Sequence, residues 1–302
     1  MSTNSVRIGD TPWIRRSLIA LMLLLVALVL VVPLVSIFFI AFADGITSYF
    51  QHLLAPDTRH SIGLTLLVAV LTVPINLVFG VMLAWAVTRF QFPGRKLVTT
   101  LIDIPFAVSP VVAGLLYLLL YGSNGWLGAW LFEHDLQVMF ALPGIVLVTI
   151  FVTCPFVARE LIPLMQQQGQ AEEEAAVVLG ASWWQLFRRV TLPNIKWALI
   201  YGVILTNARA IGEFGAVAVV SGSIRGQTNT LPLQVQLLYE DYQTQAAFAC
   251  ASLLAFMALA TLALKALVEW RQHRAHASTA PMDESSASTP ARLTLQTNQS
   301  EP

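Results

Sequence analysis

SIGLTLLVAVLTVPINLVFGVMLAWAVT, Ser61–Thr88, runs for 28 residues without a charge. A helix rising 1.5 Å per residue needs about 20 apolar residues to cross the roughly 30 Å hydrocarbon core of a bilayer, and this run exceeds that length. A membrane β-strand would alternate apolar and polar positions over about ten residues, whereas Leu66–Leu71 is unbroken. Inside lipid every backbone N–H and C=O must be bonded within the protein, which a helix achieves locally. The stretch reads as a membrane-spanning helix.

Five further segments read the same way. Ser17–Ala43, Ile104–Phe132, Leu136–Ala158 and Tyr242–Leu264 are free of charge, and Trp197–Ile224 is interrupted only by Arg209 and Glu213. Soluble helices expose a polar face, and these have none. With 56% hydrophobic and 11% charged residues, the chain reads as an all-α polytopic membrane protein. Six transmembrane helices are expected, at roughly 17–43, 61–88, 98–121, 138–162, 195–221 and 244–267. Pro33, Pro74, Pro105, Pro110 and Pro155 lie inside them and predict kinks rather than breaks.

The division into parts follows: a cytoplasmic N-terminus over 1–16, a membrane domain over 17–270 with its core at about 61–267, and a cytoplasmic tail over 271–302. The tail's Ser, Thr, Ala and Pro content reads as disorder. Fourteen of the 17 Lys and Arg fall in segments that share a side with the N-terminus, and Arg59 and Arg225 fall opposite. The positive-inside rule therefore places both termini in the cytoplasm. The first apolar stretch is too long for the core of a cleaved signal peptide and reads as an anchor. Cys154 and Cys250 fall within spans, as ordinary small apolar residues. A net charge of zero gives no footprint for nucleic acid. The outer loops near 44–60, 122–137 and 222–243 are too short for a catalytic domain.

One cytoplasmic segment is conspicuously polar. In AEEEAAVVLGASWWQLFRRVTLP, 171–193, three glutamates open a helix where carboxylates complement its positive end. Gly180 suits the left-handed position that closes a helix. Ser182-Trp183-Trp184-Gln185 forms a capping box for a second helix, Arg188 and Arg189 lie near its negative end, and Pro193 marks a turn into the fifth span. This coupling element, 165–193, reads either as an amphipathic segment anchored on lipid headgroups by Trp183 and Trp184, or as a docking surface for a cytoplasmic partner.

Glu174-Ala175-Ala176, three residues, Gly180, nine residues and Val190-Thr191-Leu192-Pro193 resemble the EAA motif of bacterial ABC-importer permeases. That motif reads E-A-A, three residues, G, nine residues, I-x-L-P, and Val190 replaces its isoleucine. The resemblance implies a type I importer permease fold in which Glu174, Ala175, Ala176, Gly180, Leu192 and Pro193 belong to a coupling helix seated in the ATP-hydrolysing subunit. Ala208–Ala216, ARAIGEFGA, is similar to a signature shared by sulfate and molybdate permeases. Over about 17–270 the chain resembles one subunit of the permease pair in sulfate/thiosulfate importers. Expected partners are two ATP-binding subunits, a homologous permease (the T subunit), a periplasmic sulfate/thiosulfate-binding protein and membrane lipid. Molybdate or tungstate is the alternative cargo.

No cofactor is expected in this chain, since ATP belongs to the partner subunit. Gly222–Thr228 lacks the spacing and the lysine of a phosphate-binding loop. No histidine lies in a span, so neither a metal centre nor an intramembrane hydrolase is indicated. No internal repeat points to an ion-coupled secondary transporter. Arg209 and Glu213 lie at membrane depth, where a charge costs about 2.5–3.5 kcal/mol on insertion scales and demands a role. They read either as a structural ion pair or as the lining or gate of an oxyanion pathway, which a guanidinium fork suits. Asp103 reads as an interfacial partner of Arg95 and Lys96. Gly80, Gly114, Gly144, Gly202, Gly212 and Gly215 read as points of close helix approach.

Overall fold

The computed structural model describes residues 12–277, and all of their regular structure is helical. The expectations for 1–11 and 278–302 lie outside the described residues, while 271–277, counted with the disordered tail, continue the last helix. In chain order the helices are α1 (Trp13–Ala41), α2 (Gly45–Leu54), α3 (Pro56–Arg89), α4 (Arg95–Ala107) and α5 (Pro110–Tyr121). Then come α6 (Gly128–Glu133), α7 (Leu142–Gln168), α8 (Ala171–Val178), α9 (Trp183–Ile211) and α10 (Gly215–Ser221). The series closes with α11 (Leu231–Glu240) and α12 (Thr244–Ala277).

Four of these, α1, α3, α7 and α12, are long and apolar enough to cross a bilayer. The other two expected spans are not continuous. α4 and α5 meet at 107°, and α9 and α10 at 53°. At the first break the expectation of a mere kink fails for a local reason. Ser109 precedes Pro110 and takes the extended conformation that a following proline imposes, and Pro110 then opens α5. At the second break Glu213 turns its carboxylate onto the N–H of Ala216, so a side chain satisfies a backbone donor freed at the start of α10.

Pro74 and Pro155 sit inside unbroken helices, as expected. Pro33 and Pro193 each follow a single π turn, with Val32 N–H donating to Ala27 and Leu192 N–H to Phe187, five residues back. The wider turn gives the proline ring room against the preceding carbonyls and lets the helix run on. Pro193 is therefore inside α9, not at a turn before it.

α7 occupies the middle of the bundle, packed along both α3 and α9. A Cβ on Gly80 would lie 2.6 Å from Val157 Cβ, and one on Gly202 would lie 3.1 Å from Val157 Cα, so α3 and α9 clasp α7 at one residue. Gly114 approaches Ala216, and Gly215 approaches Pro110 and Val111, which brings the starts of α5 and α10 together. Gly212 makes no such approach to another helix. Lipid provides little hydrophobic drive between helices, so close packing and interhelical hydrogen bonds hold them. One such bond runs from Asn76 of α3 to Thr153 Oγ1 of α7 at 2.6 Å, in a fully buried setting. Ile145, Val148 and Val152 of α7 meet Val217 and Val220 of α10 in the larger core, and Val157, Leu161 and Met165 meet Ala84 and Ile195 in a second. α12 packs on α11 and on the second half of α1.

Candidate functional site

α8 opens with Glu172, Glu173 and Glu174 in its first turn. Gly180, at φ +82°, closes it: Gly180 N–H donates to Val177 O at 2.9 Å and Ala181 N–H to Ala176 O at 3.0 Å. That pairing satisfies carbonyls a helix end leaves open and requires a left-handed residue. Ser182 then caps α9. Its N–H donates to Gln185 Oε1 at 2.9 Å, and Gln185 N–H donates to Ser182 Oγ at 3.4 Å. The closing signal of α8 and the opening signal of α9 read from the sequence are both in place.

The motif residues divide between two surfaces. Glu174, Ala175 and Gly180 are exposed and Ala176 is half-buried. Beside them Val178 and Leu179 are 86% and 87% exposed, an apolar patch at the end of α8 that the described residues leave uncovered. Leu192 is half-buried and Pro193 exposed within α9. α8 itself packs against the first turns of α9.

Trp183 is 65% exposed and lays one face of its ring against the bundle. Its ring lies 5.3 Å from that of Trp85 on α3 with the planes 1° apart, and Phe187 stacks on Trp85 at 5.1 Å. Trp184, 60% exposed, stacks on Phe187 at 6.0 Å, so both tryptophans keep part of their surface open.

Glu173, read from the sequence only as one of three first-turn carboxylates, makes the contacts that hold α8. Arg89 Nη2 donates to Glu173 Oε1 at 3.1 Å, Nε stands 2.7 Å from Oε2, and Thr191 Oγ1 donates to Oε1 at 2.9 Å. Arg89 Nη1 also donates to the carbonyl of Met165 at 3.1 Å. Asn194 donates to Glu172. The available signal was Arg89 itself, a cation at the end of an apolar run, but its partner lies 84 positions away. Asp103 pairs with Arg159 at 2.8 Å, rather than with Arg95 or Lys96. The Arg159 guanidinium also sits 4.3 Å from the centroid of Phe106, a second favourable contact for that cation.

Arg209 and Glu213 come together as the sequence suggested. Arg209 Nη1 stands 2.6 Å from Glu213 Oε2, a charge contact whose angles do not make a hydrogen bond. Glu213 Oε1 accepts from Ala216 N–H at 3.1 Å. The arginine closes α9 and the glutamate lies in the break before α10.

This layout, a bundle of long apolar helices with the short α8 packed on the first turns of α9, has counterparts among known proteins. Residues 76–275 match the model of the binding-protein-dependent transport system inner membrane component. The chain belongs to that family. Within it, the sulfate transport system permease protein CysW of Escherichia coli K12 is 63% identical over 259 residues, which cover 86% of this chain and 89% of the relative. CysW of Synechocystis is 51% identical over 267 residues, covering 88% and 97%. The sulfate transport system permease protein CysT of Escherichia coli K12 is 37% identical over 232 residues, covering 77% and 84%. The crystal structure of a bacterial ABC transporter that imports the acidic polysaccharide alginate shares the fold. Its TM-score is 0.71 at 18% identity, over 87% of this chain and 96% of that one.

Proposed function

We propose that the chain is a non-enzymatic permease subunit of an ATP-driven importer that carries sulfate or thiosulfate across the inner membrane. The 63% identity to a sulfate permease over 86% of the chain carries this reading. Molybdate or tungstate is the competing cargo, because Ala208–Ala216 resembles a stretch common to both permease types. Substituting this chain for CysW in Escherichia coli tests the assignment. Growth on sulfate as sole sulfur source is expected, and failure to grow despite membrane insertion contradicts it.

In this reading the two bent helix pairs count as single broken spans, giving six crossings, with both termini and 163–193 on the cytoplasmic side. The basic residues near the inner ends support that orientation. The exposed face of α8, with Glu174, Ala175 and Gly180, docks on an ATP-binding subunit. Two such subunits supply hydrolysis, a homologous permease supplies the other half of the pathway, and a periplasmic binding protein delivers the anion. Arg209 lines that pathway. Glu213 tempers its charge, since transport requires an anion to be released as well as bound.

A further inference from the structure

We propose that Arg89 is a positioning residue that ties the α8 element to the membrane bundle, so that displacement of α8 moves α3 and α7 with it. The proposal rests on α8 being the surface that docks on the ATP-binding subunit.

Covalent connections alone leave α8 loosely held. It is flanked by Gly169 at φ +70° and Gly180 at φ +82°, and at both glycines the space where a Cβ would stand is open. Its close packing is confined to the first turns of α9, which include the π turn. A push on α8 would therefore be absorbed by rotation at two glycines.

Arg89 closes that gap. From the end of α3 its guanidinium reaches two other elements at once, Glu173 of α8 and the Met165 carbonyl of α7. Glu173 in turn accepts from Thr191 at the end of the π turn. Two helices end here, α3 at Arg89 and α7 at Gln168, and each presents its negative end to the cation. The Met165 carbonyl is one of the last four of α7, which have no partner within the helix. Glu173 lies in the positive first turn of α8. Charge, helix ends and hydrogen bonds thus agree at one buried point, where the two side chains are 10% and 13% exposed. A planar fork can hold a carboxylate and a carbonyl in fixed geometry, which a lysine ammonium cannot.

The test uses the complete complex in liposomes: this chain, the second permease, the ATP-binding subunits and the binding protein loaded with sulfate. ATP hydrolysis and sulfate uptake are measured in the same vesicles for Arg89→Ala, Arg89→Lys and Glu173→Gln. The expected result is normal recovery of the ATP-binding subunits and continued hydrolysis, with uptake per ATP lowered about fivefold or more, the low end of ordinary coupling between sites. Arg89→Lys is expected to restore part of that ratio. A wild-type ratio in Arg89→Ala overturns the proposal. Should Arg89→Ala fail to accumulate, the ratio in Glu173→Gln decides in the same way, and failure of both variants to accumulate makes the pair a folding element only and overturns it. Loss of the ATP-binding subunits from Glu173→Gln alone also overturns it, by placing Glu173 on the docking surface. If the wild-type chain recruits no ATP-binding subunit, the docking reading has failed instead.

Discussion

Arg209 and Glu213 stand one helical turn apart with charged atoms 2.6 Å from each other, yet the arginine side chain is 33% exposed and the glutamate 1%. The carboxylate is committed to Arg209 and to the N–H of Ala216. The guanidinium, with five donors and one short contact to Glu213, keeps donors for another acceptor. In the proposed reading the asymmetry divides the pair, Glu213 holding the break at Ala216 N–H and Arg209 facing the pathway.

Arg209→Met alone is expected to hurt folding, because it leaves a buried carboxylate unpaired at about 3–5 kcal/mol. Arg209→Met with Glu213→Gln removes that penalty, and the amide oxygen can still accept from Ala216. The double variant is expected to accumulate and recover its ATP-binding subunits but to lose uptake about tenfold or more, measured per mole of assembled complex. Uptake at the wild-type rate would falsify the pathway role.

Gly180→Val tests the docking element. At φ +82° any side chain is strained, by about 1–2 kcal/mol. Among the described residues nothing lies within 4 Å of the added Cβ, so in the proposed reading the clash falls on the docked partner. The variant is expected to insert normally and to lose stimulation of ATP hydrolysis by the loaded binding protein. Normal stimulation would remove Gly180 from the contact.

Gly80→Ala tests the packing of α3 on α7. Its Cβ would meet Val157 at 2.6 Å, an overpacking that costs about 1–3 kcal/mol. A lower melting temperature in detergent is expected, recovered in part by adding Val157→Gly. An unchanged melting temperature would mean that the two helices are not this close.

Cysteine labelling tests the orientation, in a chain whose Cys154 and Cys250 are replaced by alanine. A probe at Gln227 should react in intact cells, and one at Gln168 only after the membrane is opened. The reverse pattern would put α8 on the outer face, away from any ATP-binding subunit.

Much of this architecture was legible in the residues. Charge-free runs located the apolar segments, and Gly180 with the Ser182–Gln185 box fixed a two-helix element, because capping is decided within a few residues. Breaks were less legible. Pro74 and Pro110 look alike in sequence, but Pro110 lies where Gly215 of α10 meets the start of α5. Pro193 looked like a turn because the π turn before it follows a hydrogen-bond pattern that its residues do not announce. Ion pairs were harder still: Asp103 finds Arg159, 56 positions away, past the closer cations Arg95 and Lys96. Such pairings depend on how the bundle folds.

The central claim is that this chain forms part of a sulfate pathway driven from outside itself. The direct measurement is radiolabelled sulfate uptake into liposomes holding the complete complex, with and without ATP, and with molybdate as competitor. The account predicts uptake that requires both ATP and the sulfate-binding protein and that excess molybdate leaves nearly unchanged. Uptake that proceeds without ATP, or that molybdate abolishes while itself being carried, would contradict it.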